Sequence, residues 1–120
     1  IGVVTENADA YALSFEAGEV VTTETANTVA DGLACRTPHP AALDIIKRGA
    51  ARIVRVSEDQ VIASMGHFFT DTHNLAEGAA GACLAGLLKE KDKQAGKRVG
   101  VVLTGGNVDR ATMQTVLSRI

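Results

Sequence analysis

The sequence has few aromatic side chains and no strong excess of either charge. Trp is absent, and the only aromatic residues are Tyr11, Phe15, Phe68 and Phe69. These are too few to form the stacking platforms that bind single-stranded nucleic acid. The net charge is −2, and no basic stretch favours a nucleic acid or an anionic membrane surface. No apolar run approaches the roughly 20 residues that cross a bilayer. We therefore expect neither a nucleic acid nor a membrane as a partner.

Cysteine and histidine are also sparse. Cys35 and Cys83 are isolated and form no CxxC pair, so we expect buried, reduced thiols and a cytoplasmic protein. His39, His67 and His73 do not have the spacing of metal ligands. The sequence therefore predicts no metal site.

The residues that are present describe a globular domain with alternating strands and helices. Apolar residues make up 46% of the 120 residues and charged residues 22%, which is typical of a folded domain. Short apolar segments predict three strands, at Ile1–Val4, Arg52–Val56 and Arg98–Leu103. The third is almost entirely Val and Leu, as in a parallel strand covered on both faces. Because the chain starts inside an apparent strand and without Met, we expect it to be incomplete.

Helical patterns separate the predicted strands. Ser57 and Gln60 form a capping-box pattern before an amphipathic segment, and Pro38-His39-Pro40 begins a short helix that ends near Gly49. A third helix is predicted at 77–93, and its charged end should be solvated. A fourth helix is predicted at the C-terminus, where Asn107 or Asp109 serves as the cap. This alternation predicts an α/β fold with parallel strands.

The segment Thr104–Asn107 (Thr-Gly-Gly-Asn) directly follows the third predicted strand, where ligands of parallel sheets bind. Its residues allow three interpretations. The simplest is a tight turn in which Gly105 and Gly106 adopt unusual backbone angles. Alternatively, Thr104 forms a hydrogen bond to a small ligand, or the following helix binds a phosphate at its N-terminus. The phosphate-binding patterns GxxxxGK[ST] and GxGxxG are absent.

Four motifs together resemble one enzyme family. In chain order they are Thr28–Ala34 (TVADGLA), Arg52–Asp59 (RIVRVSED), Asp71–Ala79 (DTHNLAEGA) and Val101–Asp109 (VVLTGGNVD). Their order and spacing are similar to those in the C-terminal part of the threonine dehydratase/serine racemase family, whose coenzyme is pyridoxal phosphate (PLP).

The resemblance implies both a fold and a function. The implied fold is α/β, part of the parallel-sheet, three-layer domain of a fold type II PLP enzyme (tryptophan synthase β-like). Residues 1–120 would form the C-terminal portion of the catalytic domain, with no regulatory domain. The implied reaction is dehydration and deamination of threonine or serine to a 2-oxo acid and ammonia, by a homo-oligomer. The alternatives are an amino-acid racemase, a 3-hydroxyaspartate dehydratase, or a non-catalytic half-domain that binds a small ligand or a protein partner.

The resemblance also implies which residues bind the coenzyme. Thr104 matches the hydroxyl residue that bonds the pyridine nitrogen, and Gly105 follows it. Gly32 matches the glycine against which the coenzyme ring packs, and Glu77 matches a carboxylate near the ring edge. A neutral hydroxyl at the nitrogen makes the ring a weaker electron sink than a carboxylate would, which suits loss of a 3-hydroxyl.

The sequence departs from this family in four respects. It contains neither the Ser-Phe-Lys-x-Arg-Gly segment of the Schiff-base lysine nor the glycine-rich phosphate loop, so we predict no catalytic residue within it. Lys47-Arg48-Gly49-Ala50 is interpreted as an ordinary helix end. Val4 and Ala10 stand where the racemases have the Glu and Asp of a divalent-cation site, and a displaced site at the nearby Glu6 and Asp9 is the alternative. His73 stands in place of a nucleotide-binding lysine. We therefore expect neither a cation site nor control by ATP.

Overall fold

A computed structural model describes residues 1–120 as two parallel strands packed between helices. The strands are β1 (Gly2–Thr5) and β2 (Ile53–Val56). The helices are α1 (Ala10–Ala17), α2 (Pro40–Gly49), α3 (Glu58–Thr72), α4 (Gly78–Lys89), α5 (Lys91–Gln94) and α6 (Arg110–Leu117), and short 3-10 turns lie at Glu6–Ala8 and Asp31–Leu33. β1 pairs with β2 in parallel, with Gly2 opposite Ile53 and Thr5 opposite Val56. The predicted α/β class with parallel strands is confirmed.

The main core lies between the sheet, α3, α4 and α6. Its buried members are Val54, Val56, Val61, Ile62, Met65, Ala82, Ala85 and Val116. Small residues on α4 allow this close packing, because a Cβ added at Gly81 would lie 2.7 Å from Met65 Cγ and one at Gly86 would lie 2.7 Å from Val3 Cγ2. Side chains alternate between the two faces of a strand, so Arg55, which contacts α1, lies on the face opposite Val54 and Val56.

Most of the predicted helix ends are confirmed. Ser57 Oγ accepts a bond from the Gln60 amide, and the Gln60 side chain accepts one from the Ser57 amide, which completes the capping box of α3. Asp109, rather than Asn107, caps α6. Lys47 and Arg48 lie in the last turn of α2, as expected for a structural helix end.

The third predicted strand, Arg98–Leu103, is wrong. This segment has no regular secondary structure and pairs with no strand of the chain. A cavity of about 180 Å³, lined in part by Val3, Gly86, Val99 and Val101, separates it from β1. Val102 is 67% exposed. The apolar pattern showed which side chains can be buried but not whether a neighbouring strand would lie within hydrogen-bonding distance.

Two smaller expectations are corrected. Cys35 and Cys83 are half-buried rather than buried, and burial raises the pKa of the Cys83 thiol. The charged segment around Lys89–Lys97 is not uniformly solvated, because Glu90 is only 9% exposed. Its carboxylate accepts bonds from Arg52 (Nε–Oε1 3.1 Å) and Lys93 (Nζ–Oε1 2.9 Å). The Glu90 carboxylate bonds two cations, and these bonds compensate for its burial.

Candidate functional site

The Thr104–Asn107 segment is attached to the start of α4 through Glu77. The Glu77 amide donates to the Gly105 carbonyl at 2.9 Å, and the Thr104 hydroxyl donates to Glu77 Oε1 at 3.0 Å. Glu77 occupies the N-cap position of α4 but forms no side-chain cap bond. Its half-buried carboxylate therefore holds Thr104 instead of capping its own helix.

Gly106 leaves space that the neighbouring backbone requires, and Gly105 leaves space for the Glu77 carboxylate; neither serves to adopt unusual backbone angles. Neither has a positive φ, since only Gly18 and Gly96 do among the glycines, so the prediction of unusual backbone angles is wrong. A Cβ at Gly105 would lie 2.8 Å from Glu77 Oε2, and one at Gly106 would lie 2.6 Å from the Leu75 carbonyl oxygen. Both glycines allow this segment to lie directly against residues 75–77.

Gly32 is positioned by contacts from two other motifs. Glu58 Oε2 accepts bonds from the Thr28 hydroxyl (3.1 Å) and the Val29 amide (2.8 Å), which fixes the segment that leads to the turn Asp31–Leu33. The same segment contacts Gly78 of α4, where an added Cβ would lie 2.6 Å from the Val29 carbonyl oxygen. The motifs are far apart in sequence, yet these contacts join them around one point.

A cleft of about 160 Å³ lies at this point. Gly32, Glu77 and Asn107 line it, and so do Val29, Asp31, Gly78, Ala79, Val108, Asp109 and Thr112. Thr104 and Gly105 are not part of its lining and join it only through Glu77. The structure thus brings the four predicted coenzyme-binding residues to one region, in two sets that share Glu77.

The phosphate interpretation of this segment is disfavoured. The Asp109 carboxylate already accepts bonds from the Thr112 amide (2.7 Å) and the Thr112 hydroxyl (3.0 Å) at the start of α6. These bonds hold the pKa of Asp109 below its ordinary value. No Lys or Arg lines the cleft, and a second anion at this helix end would face an ionised carboxylate.

The residues that match no metal or catalytic pattern have structural roles. His39 Nδ1 accepts a bond from the Ala41 amide at the start of α2. His67 pairs with Asp71 at 3.2 Å on the exposed side of α3, and His73 ends that helix with a left-handed φ of 55°. No group of three or more His, Cys, Asp or Glu residues is arranged to hold a metal. No helix has the length and apolarity needed to cross a bilayer.

Comparison with known proteins identifies the family. The family model described as "pyridoxal-phosphate dependent enzyme" matches residues 1–105, and the chain belongs to that family. PLP is therefore the cofactor that membership of this family implies, and the family is enzymatic. The match covers all four predicted coenzyme-binding residues.

Two curated relatives align with nearly the whole chain. The L-threonine ammonia-lyase of Thermotoga maritima is 29% identical over 99% of this chain and 29% of its own length. The phenylserine dehydratase of Ralstonia pickettii is 37% identical over 93% of this chain and 35% of its own length. The chain thus spans about a third of the length of these relatives.

Solved structures of PLP enzymes also superimpose on nearly the whole chain. The T.th. threonine deaminase superimposes with a TM-score of 0.83 and 28% identity, over 90% of this chain and 35% of that protein. The serine racemase of Dictyostelium discoideum superimposes with a TM-score of 0.76 and 32% identity, over 88% and 34%. The fold is therefore that of part of a fold type II PLP enzyme, as the motifs predicted.

The residues of this site fit one side of the coenzyme. The Thr104 hydroxyl is exposed and uncharged, so a ring nitrogen can reach it. Gly32 exposes backbone without a side chain, and a Cβ there would lie 3.3 Å from Ala79 Cβ, so a larger residue would crowd the cleft. Cations for a phosphate group are lacking around the cleft. The chain is thus suited to contact the ring of PLP rather than its phosphate.

Proposed function

We propose that an enzyme containing these residues removes the hydroxyl and amino groups of L-threonine or L-serine, giving a 2-oxo acid and ammonia. The observation that carries the proposal is the bond between Thr104 and Glu77 beside the cleft of Gly32, in a chain of the PLP family. The activities named for the threonine ammonia-lyase and the threonine deaminase support the choice of substrate.

PLP supplies electron withdrawal from the amino-acid carbons when it is bound. In this account Thr104 holds the ring nitrogen through a neutral hydroxyl, Gly32 gives the flat ring a surface without a side chain, and Gly105 leaves room for the Glu77 carboxylate. A hydroxyl has one hydrogen, and here that hydrogen is donated to Glu77 Oε1. An unprotonated nitrogen needs the same hydrogen, so we propose that the hydroxyl rotates from Glu77 to the nitrogen when the ring binds.

The overall reaction is balanced without an oxidant. The 3-hydroxyl of threonine leaves as water, and a second water molecule is added as the amino group is released. The products are 2-oxobutanoate and ammonia. The residues that take up and release these protons lie outside this chain in our proposal, because it contains no Ser-Phe-Lys-x-Arg-Gly segment. The contribution of this chain is to hold and orient the ring.

Racemisation is the second candidate, and the likeness to a serine racemase structure favours it. We also propose that the enzyme is a homo-oligomer and that it acts in the cytoplasm. Two free cysteines, Cys35 and Cys83, suit a reducing compartment.

The test is to incubate the enzyme that contains this chain with L-threonine, L-serine and 3-hydroxyaspartate separately. Formation of 2-oxo acids and ammonia is measured by coupled assays, and D-amino acids by chiral chromatography. We expect 2-oxobutanoate from threonine or pyruvate from serine at a rate well above any formation of the D-isomer. Fast racemisation without ammonia would favour the second candidate, and no reaction with any substrate would refute both.

A further inference from the structure

Arg55 lies at the carboxyl end of β2, directly opposite Val4 of β1 in the sheet register. Its guanidinium binds two carboxylates. Nε donates to Asp9 Oδ2 at 2.9 Å, and Nη1 and Nη2 donate to the two oxygens of Glu16 at 2.6 and 2.9 Å. The Arg55 and Asp9 side chains are only 28% and 22% exposed. Paired bonds of this kind between a guanidinium and a carboxylate are stronger and more directional than a single exposed ion pair.

The two carboxylates are placed where their own helix gains nothing from them. Asp9 occupies the N-cap position of α1, where Asp is a favoured cap, but its side chain makes no cap bond. Glu16 lies in the last turn of α1, where a negative charge is unfavourable to the helix dipole. The bonds to Arg55 account for both placements. They also hold the pKa of Glu16 below its ordinary value and raise that of Arg55.

Together these bonds join three parts of the fold. They connect β2 with the start and the end of α1, and α1 follows the turn Glu6–Ala8 that leaves β1. Val4 and Ala10 are buried apolar residues that offer no side-chain oxygen to a metal ion, and no group of three or more His, Cys, Asp or Glu residues is arranged to hold one. A positive charge is nevertheless present at this corner, and Arg55 supplies it.

We propose that the Arg55 guanidinium is the resident cation of this corner: it holds Asp9 and Glu16 as a bound divalent ion would, and it fixes α1 without any metal. This role concerns the stability of the chain and does not depend on the proposed reaction.

The test compares the thermal unfolding of the full 120-residue chain with that of the variants Arg55→Ala and Arg119→Ala. Arg119 is the matched control, because it makes one ion pair, to Asp59 at 2.7 Å, between more exposed side chains. We expect Arg55→Ala to lower the unfolding midpoint by several degrees and Arg119→Ala to change it little. EDTA or calcium should leave the midpoint of the unaltered chain unchanged.

Calcium added to Arg55→Ala should recover part of the lost midpoint, because two carboxylates then face one vacated place and calcium binds carboxylate oxygens. No recovery, equal effects of the two arginine variants, or a midpoint of the unaltered chain that falls in EDTA would each overturn the proposal. If Arg55→Ala does not fold, Glu16→Gln provides the same comparison. It removes one of the two carboxylates at an exposed position, and an unchanged midpoint would overturn the proposal.

Discussion

Gly78→Ala is the change for which the structure predicts the largest effect from a single methyl group. Gly78 is the first residue of α4 and is buried. A Cβ there would lie 2.6 Å from the Val29 carbonyl oxygen and 2.7 and 2.9 Å from the Cα and N of Ala30. All three atoms belong to the backbone, so no side-chain rotation relieves the overlap, and the segment that carries Gly32 must move.

Overpacking of this kind lowers the free energy of unfolding by about 1–3 kcal/mol. The preference of helices for alanine over glycine offsets less than about 1 kcal/mol of this loss. For a chain of this size each kcal/mol lowers the unfolding midpoint by about 3–6 °C. The net cost is then roughly 0.5–2.5 kcal/mol, so we expect a fall of about 2–15 °C by calorimetry or circular dichroism.

Gly49→Ala is the control for this experiment. Gly49 ends α2, has no positive φ and has no atom within 4 Å of an added Cβ, so its midpoint should stay the same or rise slightly. If Gly78→Ala unfolds at the same temperature as the unaltered chain, α4 does not lie against residues 29–30 as described, and the positioning of Gly32 is refuted.

Three other predictions concern the chain as a whole. Bonds from Arg52, and to a lesser degree from Lys93, lower the pKa of Glu90 from 4.5 to about 2. The ionised Glu90 therefore stabilises the fold fully above pH 4.5, and this stabilisation is lost as the pH falls through about 2. Acid unfolding followed by circular dichroism should depend less steeply on pH in this range for Glu90→Gln. The chain alone should form no 2-oxobutanoate from threonine and show no visible coenzyme band with added PLP, because it has neither the lysine motif nor the phosphate loop; measurable product would contradict this. The chain should also self-associate at about 10–100 μM in sedimentation experiments, because the outer edge of β1 is unpaired and Val102 and Leu103 are exposed; a clean monomer would count against it.

The parts of the fold that the sequence predicted depend on local interactions. The capping box at Ser57 and Gln60, the start of α2 at Pro40 and the cap at Asp109 each involve residues within a few positions of one another. Such contacts can be identified from spacing alone. The parallel pairing of β1 with β2, two of the three predicted strands, also follows from the alternation of strands and helices.

The parts that were missed depend on distant contacts. Helix α1 is short and mostly apolar, and its buried residues are the small Ala10, Ala12 and Ser14, so it gives no amphipathic signal. Arg98–Leu103 has the composition of a buried strand, but pairing depends on a neighbour far away in sequence. Glu90 was expected in solvent because its neighbours in sequence are charged, and Arg52, 38 residues earlier, accounts for its burial.

The candidate site was predicted as a set of residues but not as a geometry. The resemblance indicated Thr104, Gly32, Glu77 and Gly105 separately. The bond between Thr104 and Glu77 joins residues 27 positions apart, and no local pattern reveals it. The closeness of Glu77 Oε2 to position 105, 2.8 Å from an added Cβ, is likewise visible only in the structure.

The most direct test of the account is the affinity of PLP for the enzyme containing this chain, measured with Thr104→Val and Thr104→Ser. Valine keeps the shape of threonine and removes the hydroxyl, and leaving a buried acceptor unpaired costs about 1–3 kcal/mol. With about 1.4 kcal/mol for each factor of ten, the dissociation constant should rise roughly 5- to 150-fold. Thr104→Ser should bind PLP as the unaltered enzyme does, because it keeps the hydroxyl. Unchanged binding by Thr104→Val would contradict the account, because the Thr104 hydroxyl would then only bond Glu77 and would not contact the coenzyme.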